Sequence, residues 1–329
     1  MADQYFNQQP HGSKNRVENV AVVGAGGRVG SFIAHALLST GKHTVTAISR
    51  AESTSSFPEN IIRRNVDYDD HESLVAALRG QDFLVFSMSV SARDAQAKLI
   101  AAAADAGIKW VMPNEYGADY ERDIAYGEDT GLGPPALTAR KAIKDAGMNF
   151  VALSCSFWYE FSLAGTAVRY GFDFDKREVT FYDDGETKIT TSTWEQCGRA
   201  LAALLSLPVL PMNEQDGQLT LSKFRNKSCF IGSFRVSQKD MFASVLRVTN
   251  TEEADWKIGY EDSEARFKRA RELFAQTHEQ GYYGMLLYSR TFFKDVFLNF
   301  QKLLSNKELG LPEEDLDEAT ARAVEMAKK

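Results

Sequence analysis

The chain has 329 residues, of which 44% are hydrophobic and 25% are charged, a composition typical of a globular protein that can bury a large core. The formal net charge is -7 without a block of basic residues, which argues against a nucleic-acid partner. No apolar run approaches the roughly 20 residues that span a bilayer, so we expect no membrane partner. The 3 cysteines are scattered without disulfide or metal spacing, which predicts a cytoplasmic protein with no metal site.

The first predicted elements are a strand, a glycine-rich turn and a helix. Residues 20–23 are apolar and uncharged, four glycines follow within seven positions, and an amphipathic stretch begins at Ser31. A glycine pattern between a buried strand and a helix is typical of a dinucleotide-binding turn, because the helix N-terminus can bind a pyrophosphate. The predicted cofactor-binding residues of this turn are Gly24, Gly26, Gly27, Arg28, Val29 and Gly30.

Strands and helices alternate as far as residue 154. The pattern predicts strands at 43–49, 61–66, 83–86, 108–112 and 150–154, and helices at 73–78, 92–106 and 136–146. This alternation is typical of a doubly wound parallel sheet with helices on both faces, the α/β Rossmann fold. We expect a flexible tail at residues 1–16 and a cofactor-binding Rossmann domain at 17–156.

The second half of the chain has a different pattern, which predicts a smaller α+β substrate-binding lobe at residues 157–329. Residues 179–182 and 187–190 flank Asp183-Asp184-Gly185, which predicts a β-hairpin. The lobe continues with a helix at 194–207, a strand at 227–232, a helix after Ser237 and mostly helix from Ser263. We expect the lobe to be interleaved with the last strands of the sheet.

The end of the second predicted strand indicates which dinucleotide binds. In Rossmann folds an acidic residue there binds the ribose 2′-hydroxyl of NAD, whereas a basic residue accepts the 2′-phosphate of NADP. Arg50 occupies this position, and the first acidic residue after it is Glu52. Arg50 can bind a phosphate through a bidentate contact, and Arg28 can add a second positive charge. NADP(H) is therefore predicted over NAD(H); the alternative for Arg50 is a solvated residue at a strand end.

The common catalytic motifs are absent from the sequence. No tyrosine is followed by a lysine four residues later, so the chain lacks the Tyr/Lys pair of ordinary short-chain dehydrogenases. The sequence also lacks the G-x-S-x-G, P-loop and H-E-x-x-H motifs. Hydrolase, nucleotide-triphosphate and zinc-protease chemistry are therefore not indicated.

Several segments together resemble the NmrA-like family, which includes the isoflavone reductases and the phenylcoumaran benzylic ether reductases. They are the glycine turn, Arg50, residues 67–78 and the segment Met112-Pro113-Asn114-Glu115-Tyr116-Gly117. Residues 155–161 and 170–175 are further similar to fungal CipA-type oxidoreductases, which are often encoded among secondary-metabolism enzymes. The resemblance implies an atypical short-chain reductase that uses NADP(H). The predicted cofactor site also includes Ser87, Met88, Asn114 and Phe157.

The candidate catalytic residues depart from the family pattern. The plant reductases have a catalytic lysine four residues before an Arg-Arg pair, whereas Ala136 stands four residues before the pair Arg140-Lys141 in this chain. No residue of this chain can therefore be assigned the proton-transfer role of that lysine from the resemblance. The remaining candidates are Tyr116, Tyr159 and Lys141, and both tyrosines follow predicted parallel strands, where such sheets bind ligands.

The aromatic residues of the second half suit a small flat aromatic or polycyclic substrate. The predicted substrate pocket contains Trp158, Phe161, Tyr282, Tyr283 and Tyr288; the alternative is that they form the core of the lobe. An activated acceptor needs little help from an acid, because the cofactor supplies the hydride. We predict an NADPH-dependent reductase of an activated C=C, C=N or C=O bond, acting as a homodimer. The alternative is an NAD(P)-binding redox sensor that contacts a transcription factor without turnover.

Overall fold

Strands and helices alternate along the first half of the chain in the computed structural model, which describes residues 4–89 and 92–328. The strands are β1 (Asn19–Val23), β2 (Thr44–Arg50), β3 (Ile62–Val66), β4 (Phe83–Phe86), β5 (Trp110–Met112), β6 (Asn149–Ser154), β7 (Phe157–Trp158), β8 (Phe172–Asp173), β9 (Glu178–Tyr182), β10 (Ile189–Ser192), β11 (Lys227–Phe230), β12 (Phe234–Val236) and β13 (Lys257–Glu261). The α-helices are α1 (Arg28–Ser39), α2 (His71–Leu78), α3 (Arg93–Asp105), α4 (Ile124–Thr130), α5 (Gly133–Asp145), α6 (Tyr159–Leu163), α7 (Trp194–Leu205), α8 (Gln238–Thr249), α9 (Ser263–Thr277), α10 (Gln280–Thr291) and α11 (Leu316–Ala327).

The central sheet has seven strands in the order β11-β6-β5-β4-β1-β2-β3, and every neighbouring pair in it is parallel. The strand order reverses at β1, which lies between β2 and β4. This is the doubly wound topology of a Rossmann-like α/β fold, so the predicted fold class is confirmed. The strand β11 comes from the second half of the chain and pairs with β6, from Lys227 beside Val151 to Phe230 beside Ser154.

Both faces of the central sheet are covered by helices, and β1 shows how the core is divided. Val20 and Val22 pack in the hydrophobic cluster that includes residues of α1 and α7. Ala21 and Val23 point to the opposite face, into the cluster formed with α2, α3 and α5. All four side chains are at most 1% exposed. Since successive side chains of a strand point to opposite faces, burial of both faces explains the continuous apolar run in the sequence.

The predicted β-hairpin in the second half is wrong. Strand β9 lies in a three-stranded sheet of order β13-β9-β8, whereas β10 lies in another of order β12-β10-β7. The carboxylate of Asp183, which directly follows β9, accepts hydrogen bonds from the backbone N–H and the hydroxyl of Ser263. Pairing of β9 with the distant strand β13 therefore replaces the local pairing that the turn sequence suggested.

The segment after β5 contains a helix that the sequence pattern did not indicate. The sequence pattern did not predict α4, whose N-cap residue Asp123 accepts a hydrogen bond from the backbone N–H of Tyr126. Helix α7 begins at Trp194, as expected, and Thr193 caps it by accepting from the N–H of Gln196. Within the two described ranges, no helix combines the length and the apolar character that a transmembrane span requires.

Candidate functional site

The glycine turn connects β1 to α1 in a conformation that depends on its glycines. Gly24 has a φ of +85°, and a Cβ atom placed there would lie 2.0 Å from the carbonyl oxygen of Ser87. A Cβ atom on Gly30 would lie 2.0 Å from the carbonyl oxygen of Gly24. Gly27 is the N-cap of α1 and has no side chain that could cap the helix. The N–H groups of the first turn can therefore bind an anion.

The ends of neighbouring strands bring other predicted cofactor residues to this turn. Val23 is beside Ile48 of β2 and beside Phe86 of β4 in the sheet register. The carboxyl ends of β1, β2 and β4 therefore lie at the same edge of the sheet, where Arg50 is the last residue of β2 and Ser87 follows β4. The loop after β2 folds back on the turn, since a Cβ atom on Gly26 would be 2.5 Å from Cβ of Ser55.

Arg50 is exposed and carries only a weak ion pair. Its Nε lies 3.4 Å from a carboxylate oxygen of Glu52, and the two side chains are 64% and 69% exposed. Exposed pairs of this kind contribute about 0–1 kcal/mol. A phosphate group can therefore replace Glu52 as the partner of Arg50.

Asn114 connects the loops that follow β4 and β5. Its side-chain oxygen accepts from the N–H of Met88 at 2.9 Å, and its side-chain nitrogen donates to the carbonyl of Met88 at 2.9 Å. The backbone N–H of Asn114 donates to Oε1 of Gln96. The Asn114 side chain thus holds the backbone of Met88 beside the glycine turn, which makes it a positioning group at the predicted cofactor site.

A cleft with a volume of about 460 Å³ opens at this edge of the sheet. The predicted site residues that line it are Ser87, Met88, Asn114, Tyr116, Phe157, Trp158, Phe161, Tyr283 and Tyr288. Its wall also contains residues that sequence reasoning did not select, among them Tyr120, Tyr126, Leu132, Ala136, Arg169 and Gln280. Tyr120 and Tyr126 lie next to or within the helix α4 that the sequence pattern missed.

The hydroxyl of Tyr116 forms a hydrogen bond with the backbone. It donates to the carbonyl oxygen of Phe86 at 2.7 Å, and the side chain is buried in the cleft wall. Burial raises the pKa of the Tyr116 phenol because the phenolate would lose its hydration. Tyr116 therefore shapes the cleft, and its proton already has an acceptor.

The geometry argues against the other two predicted catalytic residues. Tyr159 is 0% exposed, and its hydroxyl lies 2.7 Å from that of Thr320, in the buried cluster that also contains Ala319 and Ala323. Lys141 is 74% exposed and forms an ion pair with Asp145 on the outer face of α5. Neither residue lines the cleft, and Tyr282 does not line it either.

The orientation of α5 explains why Lys141 is outside the cleft. Successive residues of a helix are rotated by about 100°, so residues four apart share a face. Ala136 and Arg140 share the inner face, and Ala136 lines the cleft. Ala136 stands at the position of the lysine in the plant reductases that this chain resembles. That position therefore lies inside the site, and its side chain is a methyl group in this chain.

A buried ion pair fixes α5 against the loop that follows β5. Arg140 is 1% exposed, and its guanidinium donates to both carboxylate oxygens of Glu115, at 2.9 and 2.5 Å. A further donor of Arg140 contacts Asp119 at 3.1 Å. This network holds the cleft wall that contains Tyr116 and Ala136.

The aromatic wall is assembled from distant segments. The rings of Phe157 and Tyr288 lie 4.6 Å apart between centroids. The hydroxyl of Tyr288 is 2.7 Å from that of Ser162, and burial raises the pKa of Tyr288 to about 12. The hydroxyl of Tyr283 donates to the carbonyl of Thr130 at 3.0 Å. The polar ends of these side chains are bonded to protein groups, which leaves the rings to form an apolar surface.

A parallel sheet with a glycine turn and a cleft at its carboxyl edge defines the class of Rossmann-like α/β proteins. Within this class, the model of the NmrA-like family matches residues 16–163. The resemblance that was predicted from the glycine turn, Arg50 and residues 112–117 is thereby confirmed.

The chain is similar to Oxidoreductase aprR of Aspergillus flavus, with 26% identity over 92% of this chain and 97% of that protein. It is 32% identical to Phenylcoumaran benzylic ether reductase TP7 of Nicotiana tabacum, over 51% of this chain and 58% of that protein. Among solved structures, AtPrR2 with NADP+ and (+)pinoresinol has a TM-score of 0.70 and 20% identity, over 94% of this chain and 99% of that one. The structural likeness extends over nearly the whole chain and concerns the fold.

Proposed function

We propose that the chain is an NADPH-dependent reductase that transfers hydride to an activated C=C, C=N or C=O bond of a flat aromatic substrate. One observation carries this proposal: a single cleft extends from Ser87 and Met88, beside the glycine turn, to the aromatic residues Phe157 and Tyr288. Two of the residues predicted to contact the cofactor and the aromatic residues thus line one cavity, which supports a dinucleotide and an aromatic compound meeting there.

The residues at the sheet edge fit a dinucleotide phosphate. The N–H groups after Gly27 face an anion site at the helix N-terminus, and Arg50 is available for a 2′-phosphate. When bound, NADPH supplies the hydride from its nicotinamide ring. The solved structure of AtPrR2 contains NADP+, and aprR is named an oxidoreductase, which supports the same cofactor and reaction class here.

Neither Tyr116 nor residue 136 offers a free acid to the cleft, which favours a substrate that is already activated. The hydroxyl of Tyr116 donates to Phe86, and a methyl group stands at Ala136. Such a site suits an iminium ion, a quinone methide or a conjugated enone, since proximity to the hydride donor can supply much of the rate.

Loss of NADPH absorbance with a panel of aromatic enones, imines and quinones tests the proposal. We expect turnover of at least one acceptor, and Tyr116→Phe should retain kcat within about 5-fold, because removal of a general acid would lower it about 100- to 10,000-fold. Lys141→Ala is the matched control on the surface and should retain wild-type kcat. Tight NADPH binding without turnover of any acceptor would contradict the enzyme and favour a cofactor-binding regulator.

A further inference from the structure

Arg169 is a cation in the wall of an otherwise mostly apolar cleft. Among the described residues that line the cleft, it is the one with a positive charge. The carboxylate in the same wall, that of Glu115, is already paired with Arg140. Glu115 is therefore not the counter-ion of Arg169.

The Arg169 side chain is held in one orientation. Its guanidinium carbon lies 3.5 Å from the centroid of the Phe161 ring, and its Nη1 donates to the carbonyl of Phe161. A Cβ atom on Gly165 would lie 2.0 Å from Cδ of Arg169, so the glycine leaves the space through which the side chain passes. The carbonyl of Arg169 accepts from the hydroxyl of Tyr182 at 2.5 Å. Binding of a ligand to this guanidinium would therefore cost little conformational entropy.

Among the residues that the structure describes, Arg169 has no counter-ion, unlike the buried arginines. Arg140, Arg266 and Arg290 each contact carboxylates. Over residues 4–89 and 92–328, by contrast, no carboxylate oxygen lies within 4.0 Å of the Arg169 guanidinium.

The surroundings of Arg169 increase the cost of this unpaired charge. Burial lowers the pKa of Arg169, and the neighbouring charge of Arg28 lowers the pKa further. Arg28 contacts the same Phe161 ring, at 4.9 Å from its centroid. A partly buried cation without a counter-ion is unfavourable. Among contacts with described residues, Nη1 is the guanidinium donor in use, so the other N–H groups can bind a ligand.

We propose that Arg169 binds an anionic oxygen group of the substrate, so that the cleft takes a flat aromatic compound carrying an acid such as a carboxylate or sulfonate. The inference rests on the proposed function in taking the cleft as the substrate site. Phe161 orients the guanidinium, and the aromatic wall contacts the rings of the ligand. A charge-assisted hydrogen bond in this partly buried site is stronger than one at the protein surface.

Two fluorescent probes with the same rings test this assignment. 8-Anilinonaphthalene-1-sulfonate carries an acid group, and N-phenyl-1-naphthylamine lacks it. We expect Arg169→Gln to raise the Kd of the sulfonate about 10-fold or more, while the Kd of the neutral probe changes by less than about 2-fold. Arg169→Lys should recover part of the sulfonate affinity because it retains the charge. Gly165→Ala should weaken sulfonate binding as well, since it displaces the Arg169 side chain.

The matched control is Arg271→Gln. Arg271 also stands over a phenylalanine ring, that of Phe267 at 5.3 Å, but it does not line the cleft. This variant should bind both probes as the wild type does. Unchanged sulfonate binding in Arg169→Gln, or an equal loss of both probes, would overturn the proposal. A loss of NADPH affinity with unchanged sulfonate binding would overturn it too, since Arg169 would then bind a phosphate of the cofactor.

The outcome is independent of catalysis. A chain that discriminates the two probes through Arg169 but reduces none of the acceptors would contradict the proposed reductase and still support an acid-binding cleft. Turnover of neutral acceptors with unchanged probe binding in Arg169→Gln would support the reductase and reject the role of Arg169.

Discussion

The glycine turn and the aromatic cleft meet at the same edge of the central sheet, but the chain builds them in opposite ways. The turn is one contiguous segment, residues 24–30, whose shape follows from the backbone freedom of Gly24 and the close approach at Gly30. The cleft combines side chains from residue 87 to residue 288. The comparison shows that a short contiguous site depends on its own residues, whereas a site made from distant segments depends on how those segments pack.

The largest effect is expected from Gly24→Ala, because the turn depends on both a positive φ and a close contact. We expect the free energy of unfolding to fall by about 3 kcal/mol and NADPH binding to be lost. Gly41→Ala is the matched control: its φ is +65°, but nothing lies within 4 Å of the added Cβ atom, so it should cost about 1 kcal/mol. Urea unfolding and NADPH titration measure both. Equal destabilisation by the two variants would show that the contact with Ser87 is unimportant.

An intermediate effect is expected from Arg50→Ala, which tests the cofactor half without changing the cleft. We expect the Kd of NADPH to rise about 10- to 100-fold and that of NADH to stay nearly constant, because a charged hydrogen bond contributes about 1.5–3 kcal/mol. Lys42→Ala removes the same charge at the opposite end of β2 and should leave both dissociation constants unchanged. An equal loss of NADPH and NADH affinity in Arg50→Ala would reject the 2′-phosphate contact.

The smallest effect is expected from Tyr288→Phe, on the cleft side of the comparison. The variant loses the 2.7 Å hydrogen bond with Ser162, so stability should fall by about 1 kcal/mol while NADPH affinity stays constant. Tyr282→Phe, six residues earlier on α10 and outside the cleft lining, should change neither quantity. A weaker NADPH affinity in Tyr288→Phe would show that the cofactor half and the aromatic half are not separable. Thermal unfolding and cofactor titration provide both measurements.

Local patterns predicted much of the fold. The alternation of apolar strands and amphipathic helices predicted the parallel sheet, since burial of both faces requires uninterrupted apolar strands such as β1. The partner of β9 was predicted wrongly as β10, because Asp183 is bonded to Ser263 and β9 pairs with β13. The turn sequence carried no information about these distant partners.

The sequence indicated the cofactor half of the candidate site better than its catalytic residues. The glycine turn, Ser87 and Asn114 follow strands that end at one edge, so parallel topology brings them together. The predicted catalytic roles of Tyr159 and Lys141 depended instead on the directions of side chains on α6 and α5, which helix packing sets. Ala136 was noted in the sequence only as a departure from the family pattern. The structure shows that this residue lines the cleft.

By itself, the sequence determined the sheet class, the position of the glycine turn and the basic residue at the end of β2. These features follow from backbone conformation and from the alternation of side chains within short segments. Only the tertiary structure decided which aromatic rings line the cleft, that the hydroxyl of Tyr116 is bonded to Phe86, and that Arg169 faces the cleft without a carboxylate partner among the residues that the structure describes. The physical reason is that burial, counter-ions and hydrogen-bond partners come from segments far apart in the chain, and packing brings them together.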